Sequence, residues 1–327
     1  MNSPLLSICI ATYNRSNYIS ETLDSIIPQL SDDIELLVVD GASTDNTETV
    51  VRSYAYNEPR IRYVRLPDKG GVDQDYCKAV ELARGEYCWL FTDDDLLKPG
   101  AVTAVKAAIN NGNGLIVVNA EVRDSELTTI LRHQQIALQD NKKYEPEDFE
   151  SFCIDALTYL SFIGAVVIRR SIWLSRETGL YFDTEFVHVG VICQKPIPEP
   201  ALIIAEPYIC IRYGNGQWKP RSFEIWMFKW PKLVWSFENI SENAKRCITQ
   251  QYPWRELKTL ILQRGKGIYT IQLYYQFLSV LPISKLWKVH AWLISQLPTK
   301  VLSRFLYYYS RLTRADLIQL VDLSLDK

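Results

Sequence analysis

Over the first hundred residues, short apolar runs alternate with stretches of helical periodicity. LLSICIA, IELLVVD, IRYVRL and YCWLFT are short, bounded by polar turns and rich in β-branched or aromatic residues, so each reads as a buried strand. Between them the spacing predicts helices from about Asn17 to Ile27, Asn46 to Tyr54 and Gln74 to Ala83. Strand and helix in this rhythm imply an α/β fold, Rossmann-like, with a mostly parallel sheet flanked by helices. The stretch from Asn119 to Phe149 is polar and weakly periodic. SFIGAVVIRR then reads as another strand, followed by a helix through Trp173 and by FDTEFVHVG, whose histidine falls in a strand-like apolar run. KPIPEPALIIAEPY reads as a Pro-rich link into the strand YICIRY and a Gly-Asn-Gly turn at Gly214 to Gly216. The domain boundary is placed soon after that turn, giving a ligand-binding domain over 1–222 and a helical C-terminal region over 223–327.

Composition changes this picture in one place. With 327 residues, 47% of them hydrophobic, the chain can bury a large core, and a net charge of -2 gives no global attraction to nucleic acid. Yet from Leu257 to Ala315 there is no Asp or Glu, while Lys285, Lys288, Lys300, Arg304 and Arg311 are interleaved with Trp287, Trp292, Phe305 and Tyr307 to Tyr309. Such helices fit an anionic membrane surface, or else a cap that buries its aromatics on the first domain and solvates its lysines. The seven cysteines lack CxxC spacing and mostly lie in apolar runs, as small buried hydrophobes in a reducing compartment. The N-terminus does not resemble a signal peptide and no segment is apolar enough to span a bilayer, so the expected location is cytoplasmic, peripheral on the inner face of the plasma membrane.

In parallel sheets ligand chemistry gathers at the carboxyl ends of the strands. There the sequence places Thr12, Tyr13 and Arg15, then Asp40, then Asp93, Asp94 and Asp95. Three adjacent carboxylates repel one another unless a cation joins them, and hard oxygens suit Mg²⁺ or Mn²⁺; acidic capping of the following helix is the plainer alternative. Asp40 opens a small-residue turn where a carboxylate can accept hydrogen bonds from a base or ribose. In DKGGVDQDY, Gly71 lets backbone approach a ligand just before Asp73. Trp218 offers an aromatic face for a sugar, or simply a core residue.

The blocks SICIATYNRSNYISETLDSI, LLVVDGASTDNT and KGGVDQDYCKAVELARGEYCWLFTDDDLLKPG, in this order and spacing, resemble family 2 glycosyltransferases of the GT-A fold. FDTEFVHVGV and IRYGNGQW are similar to the bacterial O-antigen, abequosyltransferase-like subgroup. The resemblance implies a nucleotide-diphosphate sugar as donor and a saccharide acceptor, carried in that subgroup on a lipid. It places Thr12, Tyr13 and Arg15 beside the nucleotide, Asp40 on the base, and Asp73 and Asp93 near the diphosphate or sugar, with Asp94 and Asp95 as metal ligands. The family's arginine in the third block is missing near Gln74, and Arg212 is a substitute candidate for the diphosphate, or else a surface ion-pair residue. Transfer with inversion needs one base for the acceptor hydroxyl. The family's Glu-Asp pair is absent, so the candidates are His188, which titrates near neutrality, then Asp183 and Glu185. Two other readings stay open at this stage: a nucleotide-sugar-binding scaffold without catalysis, favoured by the missing pair, and a nucleotidyltransferase, which would want a basic Gly-rich N-terminal signature that ATYNRSN does not provide.

Overall fold

The computed structural model describes residues 3–324. The chain divides into two compact units, one running up to Gly214 and including Ser236–Ile248, the other made of Asn215–Trp235 and the chain from Thr249 onward.

The first unit is built on strands β1 (Leu6–Thr12), β2 (Ile34–Asp40), β3 (Ile61–Arg65), β4 (Tyr87–Phe91), β5 (Leu96–Leu97), β6 (Leu115–Arg123), β7 (Ile130–Arg132), β8 (Lys142–Tyr144), β9 (Val166–Arg169) and β10 (Ala201–Arg212). They form one sheet in the order β3-β2-β1-β4-β9-β6-β10-β5, with β7 added to β6 and β8 to β10. β1, β2, β3 and β4 are parallel, as are β6 and β10, while β9 runs antiparallel between β4 and β6. Every residue of β2 and of β4 is buried, which is why both strands are largely apolar, with Glu35 and Asp40 the buried charged residues of β2. Helices α1 (Ile19–Ile26), α2 (Thr47–Asn57), α3 (Val72–Leu82), α4 (Ala101–Asn110), α5 (Phe149–Ala156), α6 (Arg170–Leu174) and α7 (Val187–Cys193), with the later helix Glu242–Ile248, belong to the α/β unit. α1 buries Ile19, Thr22, Leu23 and Ile26, one stripe at helical spacing.

Three segments differ from the sequence expectation. The polar stretch beginning at Asn119 carries the second half of β6, because Asn119 and Glu121 interrupt the apolar pattern while lying buried in the strand. Asn119 is fully hydrogen-bonded there: its amide donates to the carbonyls of Ile136 (2.7 Å) and Ala205 (2.9 Å). The Pro-rich link and the strand after it form a single strand, β10, whose register against β6 shifts between Ile204 and Ile209. Pro207 sits in that irregularity, where its missing N–H costs no ladder bond. The His-bearing segment is a helix, α7, rather than a strand, since its first turn is held by a carboxylate from another element that no local pattern reveals.

The second unit is helical and has its own core of Phe223, Met227, Trp254, Leu260, Tyr269, Tyr274, Leu278, Ala291 and Ile294. Phe223 stacks on Tyr269 with ring centroids 5.1 Å apart. The helix Thr299–Leu312 leaves Val301, Phe305 (66% exposed), Tyr308, Tyr309 and Leu312 (84%) open to solvent. Among the described residues no helix is long and apolar enough to cross a membrane. Six of the seven cysteines are buried as expected, and Cys247 is exposed.

A buried polar knot closes the amino-terminal edge of the sheet. Ser7 Oγ donates to Glu35 (2.6 Å), the Gly85 amide donates to Ser7 Oγ (2.8 Å), and the Arg84 amide donates to Glu35 (2.5 Å). A Cβ on Gly85 would fall 2.6 Å from the Ser7 backbone nitrogen, inside contact distance of an atom that cannot move without the strand. Gly85→Ala is therefore expected to cost about 2 kcal/mol or more of unfolding free energy, read from urea denaturation at unchanged m-value.

Candidate active site

The parallel strands end together, so their last residues are neighbours: Thr12 pairs with Asp40, and Asp40 with Arg65. Asp40 is wholly buried. Its carboxylate accepts from the Ser43 amide (2.7 Å) and the Tyr63 hydroxyl (2.6 Å), with Arg65 at 3.5 Å. Beside it lies Asp75, on α3, whose oxygen would be 2.6 Å from a Cβ on Gly41. Burial, reinforced by the nearby charge of Asp40, pushes the Asp75 carboxyl up to about 6, while the Gly70 amide and Lys69 pull it down. In DKGGVDQDY the sequence sets Asp75 two residues after Asp73 but gives it no role in the site; its neighbour there, Gly41, is brought over only by folding. Lys69 stands 3.7 Å from the centre of the Tyr13 ring, a cation–π contact beside the same turn. Gly71 adopts φ 93°, which its lack of a side chain permits, and leads directly into α3.

The carboxylate triplet follows β4. Arg15 bridges two of its members, Nε to Asp93 at 3.2 Å and Nη2 to Asp94 at 3.1 Å. Burial and the adjacent Asp94 together raise the Asp93 carboxyl to about 7, against the pull of Arg15. Asp95 is held apart from that pair: one oxygen accepts from the Arg212 amide (2.7 Å), the other from the Thr92 hydroxyl (2.5 Å). Burial and then Asp94 push its carboxyl well above the usual range. Arg212, considered from sequence for the diphosphate, is buried, and its guanidinium donates to the Asp94 carbonyl (3.1 Å), the Ser125 carbonyl (2.8 Å) and Glu21 (2.6 Å). It clamps the triplet loop to α1 and to the turn after β6. Among the described residues no three His, Cys, Asp or Glu side chains converge as a metal-ligand group.

The third cluster is the loop before α7. Asp183 (φ 64°) and Glu185 (φ 72°) both take left-handed backbone conformations that cost non-glycine residues about 1 kcal/mol each. Asp73 holds the loop there: its two oxygens accept from the amides of Glu185 and Val187, each at 2.9 Å. The residue expected near the diphosphate or sugar therefore also caps α7 and carries Glu185. His188 lies one residue further on and is 1% exposed. Its Nε2 donates to the Leu160 carbonyl at 2.7 Å, and burial lowers its pKa to about 4. A ring so enclosed and so weakly basic is poorly suited to take a proton from an incoming hydroxyl, which corrects the expectation placed on it. Trp218 lies in the other unit, edge-on to Trp226 at 6.2 Å.

The depressed His188 pKa has a stability consequence. The unfolded chain takes up this proton near pH 6.5 and the folded chain only near pH 4, so folding loses stability as pH falls through that window, by up to about 3 kcal/mol. His188→Gln keeps a donor for Leu160 but cannot titrate. Relative to it, wild type is expected to lose stability between pH 6.5 and 4, measured by chemical denaturation across that range; parallel profiles would show the ring to be accessible and charged in the native state.

Residues 7–172 match the family model described as glycosyl transferase family 2. Abequosyltransferase RfbV of Salmonella typhimurium is 26% identical over 272 residues, 76% of this chain and 81% of that protein. Among solved structures, S. aureus TarS 1-349 in complex with UDP-GlcNAc gives a TM-score of 0.55 at 14% identity, covering 97% of this chain and 90% of that one. The mannosyltransferase PcManGT of Pyrobaculum calidifontis, in complex with GDP-Man and Mn2+, gives 0.53 at 16% identity, covering 99% and 86%. At these identities the two structures show a common fold, the GT-A architecture of a curled, mostly parallel sheet flanked by helices. With the family model spanning half of its length and its carboxylate triplet set at the carboxyl edge of that sheet, this chain belongs to glycosyltransferase family 2.

Proposed function

We propose that the protein is an inverting transferase that moves a sugar from a nucleotide-diphosphate donor to a hydroxyl of a lipid-linked saccharide in bacterial surface-polysaccharide synthesis of the O-antigen type. The observation that carries this reading is the pairing of Asp93 and Asp94 on Arg15 at the strand edge that also holds Asp40 and Asp75. Nucleotide recognition falls to the β1–β3 side, where Thr12, Tyr13, Asp40 and Asp75 surround the ends of the strands, with Gly71 opening α3.

The donor chemistry of the triplet fits Mg²⁺ or Mn²⁺: its oxygens are hard, and burial first, then the adjacent Asp94, raise Asp93 to about 7 against the pull of Arg15. Asp94, with Asp93 beside it, would hold the cation. Asp95, assigned to the metal from sequence, has both oxygens engaged by Arg212 and Thr92 and serves the loop instead. Bound there, a divalent cation supplies charge neutralisation for the leaving diphosphate. Glu185 takes the role of base, with Asp183 as its neighbour on the same loop. As base, Glu185 removes the acceptor hydroxyl's proton while that oxygen bonds to the anomeric carbon and the bond to the diphosphate oxygen breaks on the opposite face, inverting the configuration. Asp73 fixes Glu185 in position through two backbone amides, so it acts through the loop.

The acceptor side of the reading draws on the second unit. The helix Thr299–Leu312 presents Phe305, Tyr308 and Leu312 to solvent between Lys300, Arg304 and Arg311, an apolar and cationic face suited to the anionic inner leaflet of a plasma membrane. A polyprenyl-diphosphate-linked saccharide would meet the enzyme there, already concentrated in two dimensions.

Calorimetry with UDP, GDP, CDP and dTDP, each with Mn²⁺ or EDTA, tests the donor site. One diphosphate is expected to bind in a metal-dependent way, and Asp94→Asn to weaken it at least tenfold; a folded protein that binds none of the four removes the transferase site from consideration. For the membrane face, Phe305→Ser combined with Tyr308→Ser and Leu312→Ser is expected to abolish co-sedimentation with phosphatidylglycerol vesicles and leave diphosphate binding intact. Equal sedimentation of the triple variant and wild type would show that this helix makes no membrane contact.

A further inference from the structure

A cleft of about 470 Å³ opens in the first unit, lined by Arg132, Gln135, Asp155, Tyr159, Ser161 and Phe162 among others. Its place follows from the topology. Because β9 is antiparallel to both β4 and β6, with Val166 opposite Leu90 and Val117, the turn Phe162–Ala165 that enters it sits at the same edge of the sheet as the carboxylate triplet. The strand order then puts the cleft on the side of β4 away from β1, β2 and β3, where the nucleotide residues lie. Burial raises the Tyr159 phenol well above its usual range, and the Asp95 carboxylate adds to the shift.

The walls are fixed and chemically mixed. The Tyr159 and Phe162 rings stack with centroids 6.1 Å apart and planes 29° from parallel. Tyr159 is locked by a 2.8 Å bond from its hydroxyl to the Val118 carbonyl. Phe162 folds over Gly164, where a Cβ would lie 2.4 Å from its ring. Polar groups of both signs surround this aromatic pair. Arg132 donates to Gln135 at 2.6 Å, and Asp155 accepts from Lys142 (2.6 Å) and from the Tyr144 hydroxyl (2.7 Å). The same turn is tied to the loop that carries Glu185: His188 donates to the Leu160 carbonyl, one residue after α7 begins at Val187, whose amide is held by Asp73.

We infer that this cleft is the acceptor-saccharide subsite, with Phe162, backed by the buried Tyr159 ring, as the platform for the apolar face of a sugar ring and Arg132, Gln135 and Asp155 as the groups that hold its hydroxyls. This rests on the transferase reading above. A pyranose has one face of C–H groups and a rim of hydroxyls that both donate and accept, which matches an aromatic floor between a guanidinium, an amide and a carboxylate. The volume suits a small-molecule site. His188 is then a positioning residue: it keeps the Tyr159–Ser161 turn in register with the Glu185 loop, so that a sugar on the platform is presented at a fixed distance from the base.

Saturation-transfer difference NMR on the intact protein tests this, with the methyl glycosides of glucose, galactose, mannose and rhamnose as probes, in samples free of nucleotide. Wild type is expected to transfer saturation to the ring protons of at least one glycoside. That signal should fall fivefold or more in Phe162→Leu, which keeps volume but removes the aromatic face, and in Arg132→Gln. Affinity for the nucleoside diphosphate should stay within twofold in both variants. Equal glycoside signals in wild type and variants, or no signal from a wild type that binds its diphosphate, overturn the assignment while leaving the donor site standing. A wild type that binds no diphosphate fails at the donor site, and the subsite assignment falls with the transferase reading.

Discussion

Three consecutive carboxylates at the end of a buried strand are the constraint around which the first unit is arranged. Unit charges a few ångströms apart in a poorly solvated site repel by several kcal/mol, so Asp93, Asp94 and Asp95 persist there only because other elements compensate them. Arg15, from the turn after β1, takes two of them, and the backbone amide of Arg212, at the end of β10, takes the third. Thr22 of α1 adds a bond to the Asp95 carbonyl at 2.9 Å. Burial, and after it the charge of Asp94, still raises the Asp93 and Asp95 carboxyls, so holding this cluster ionised is costly without a further positive charge.

The same economy of placement links donor and acceptor sides. Asp73 begins α3 immediately after the Gly70-Gly71 turn, yet its oxygens reach across to the amides of Glu185 and Val187. α7 in turn begins the tie from His188 to Leu160. One short series of buried hydrogen bonds thus runs from the turn beside the nucleotide strands to the cleft beside β6. Two left-handed residues stand in the middle of it, Asp183 and Glu185, and the Asp73 carboxylate accepts from the amide of the second. Strain kept in place by a neighbouring carboxylate is a reason to look for function at this loop, and among the described residues it is the one place where two non-glycine residues with positive φ stand two apart.

The second unit follows different rules. Its aromatics form a core among themselves, Phe223 on Tyr269 and Phe228 on Phe277, and the most amphipathic helix turns its apolar residues outward. A net charge of -2 over the whole chain conceals this because the acidic residues are concentrated elsewhere, and only the segment-by-segment charge distribution exposes the cationic face.

The sequence alone carried the fold class, the parallel strands β1 to β4 and the helical end of the chain, because strands inside a covered sheet are rich in apolar residues and helices must repeat at their own period. It also carried the identity of the residues at the strand ends, since the rule that ligands gather there depends only on strand direction. What it could not carry were partnerships between distant residues. β6 was hidden by Asn119, whose burial is satisfied by carbonyls 17 and 86 residues away. The strand-like VHVGVIC became a helix because Asp73, 114 residues before Val187, caps it. Arg212 read as a diphosphate ligand or a surface ion-pair residue and is a buried clamp; His188 read as a base and is enclosed. Each of these outcomes turns on a hydrogen bond or a desolvation, and both are decided by what tertiary folding places within about 3 Å of an atom, a quantity that no local pattern of side chains contains.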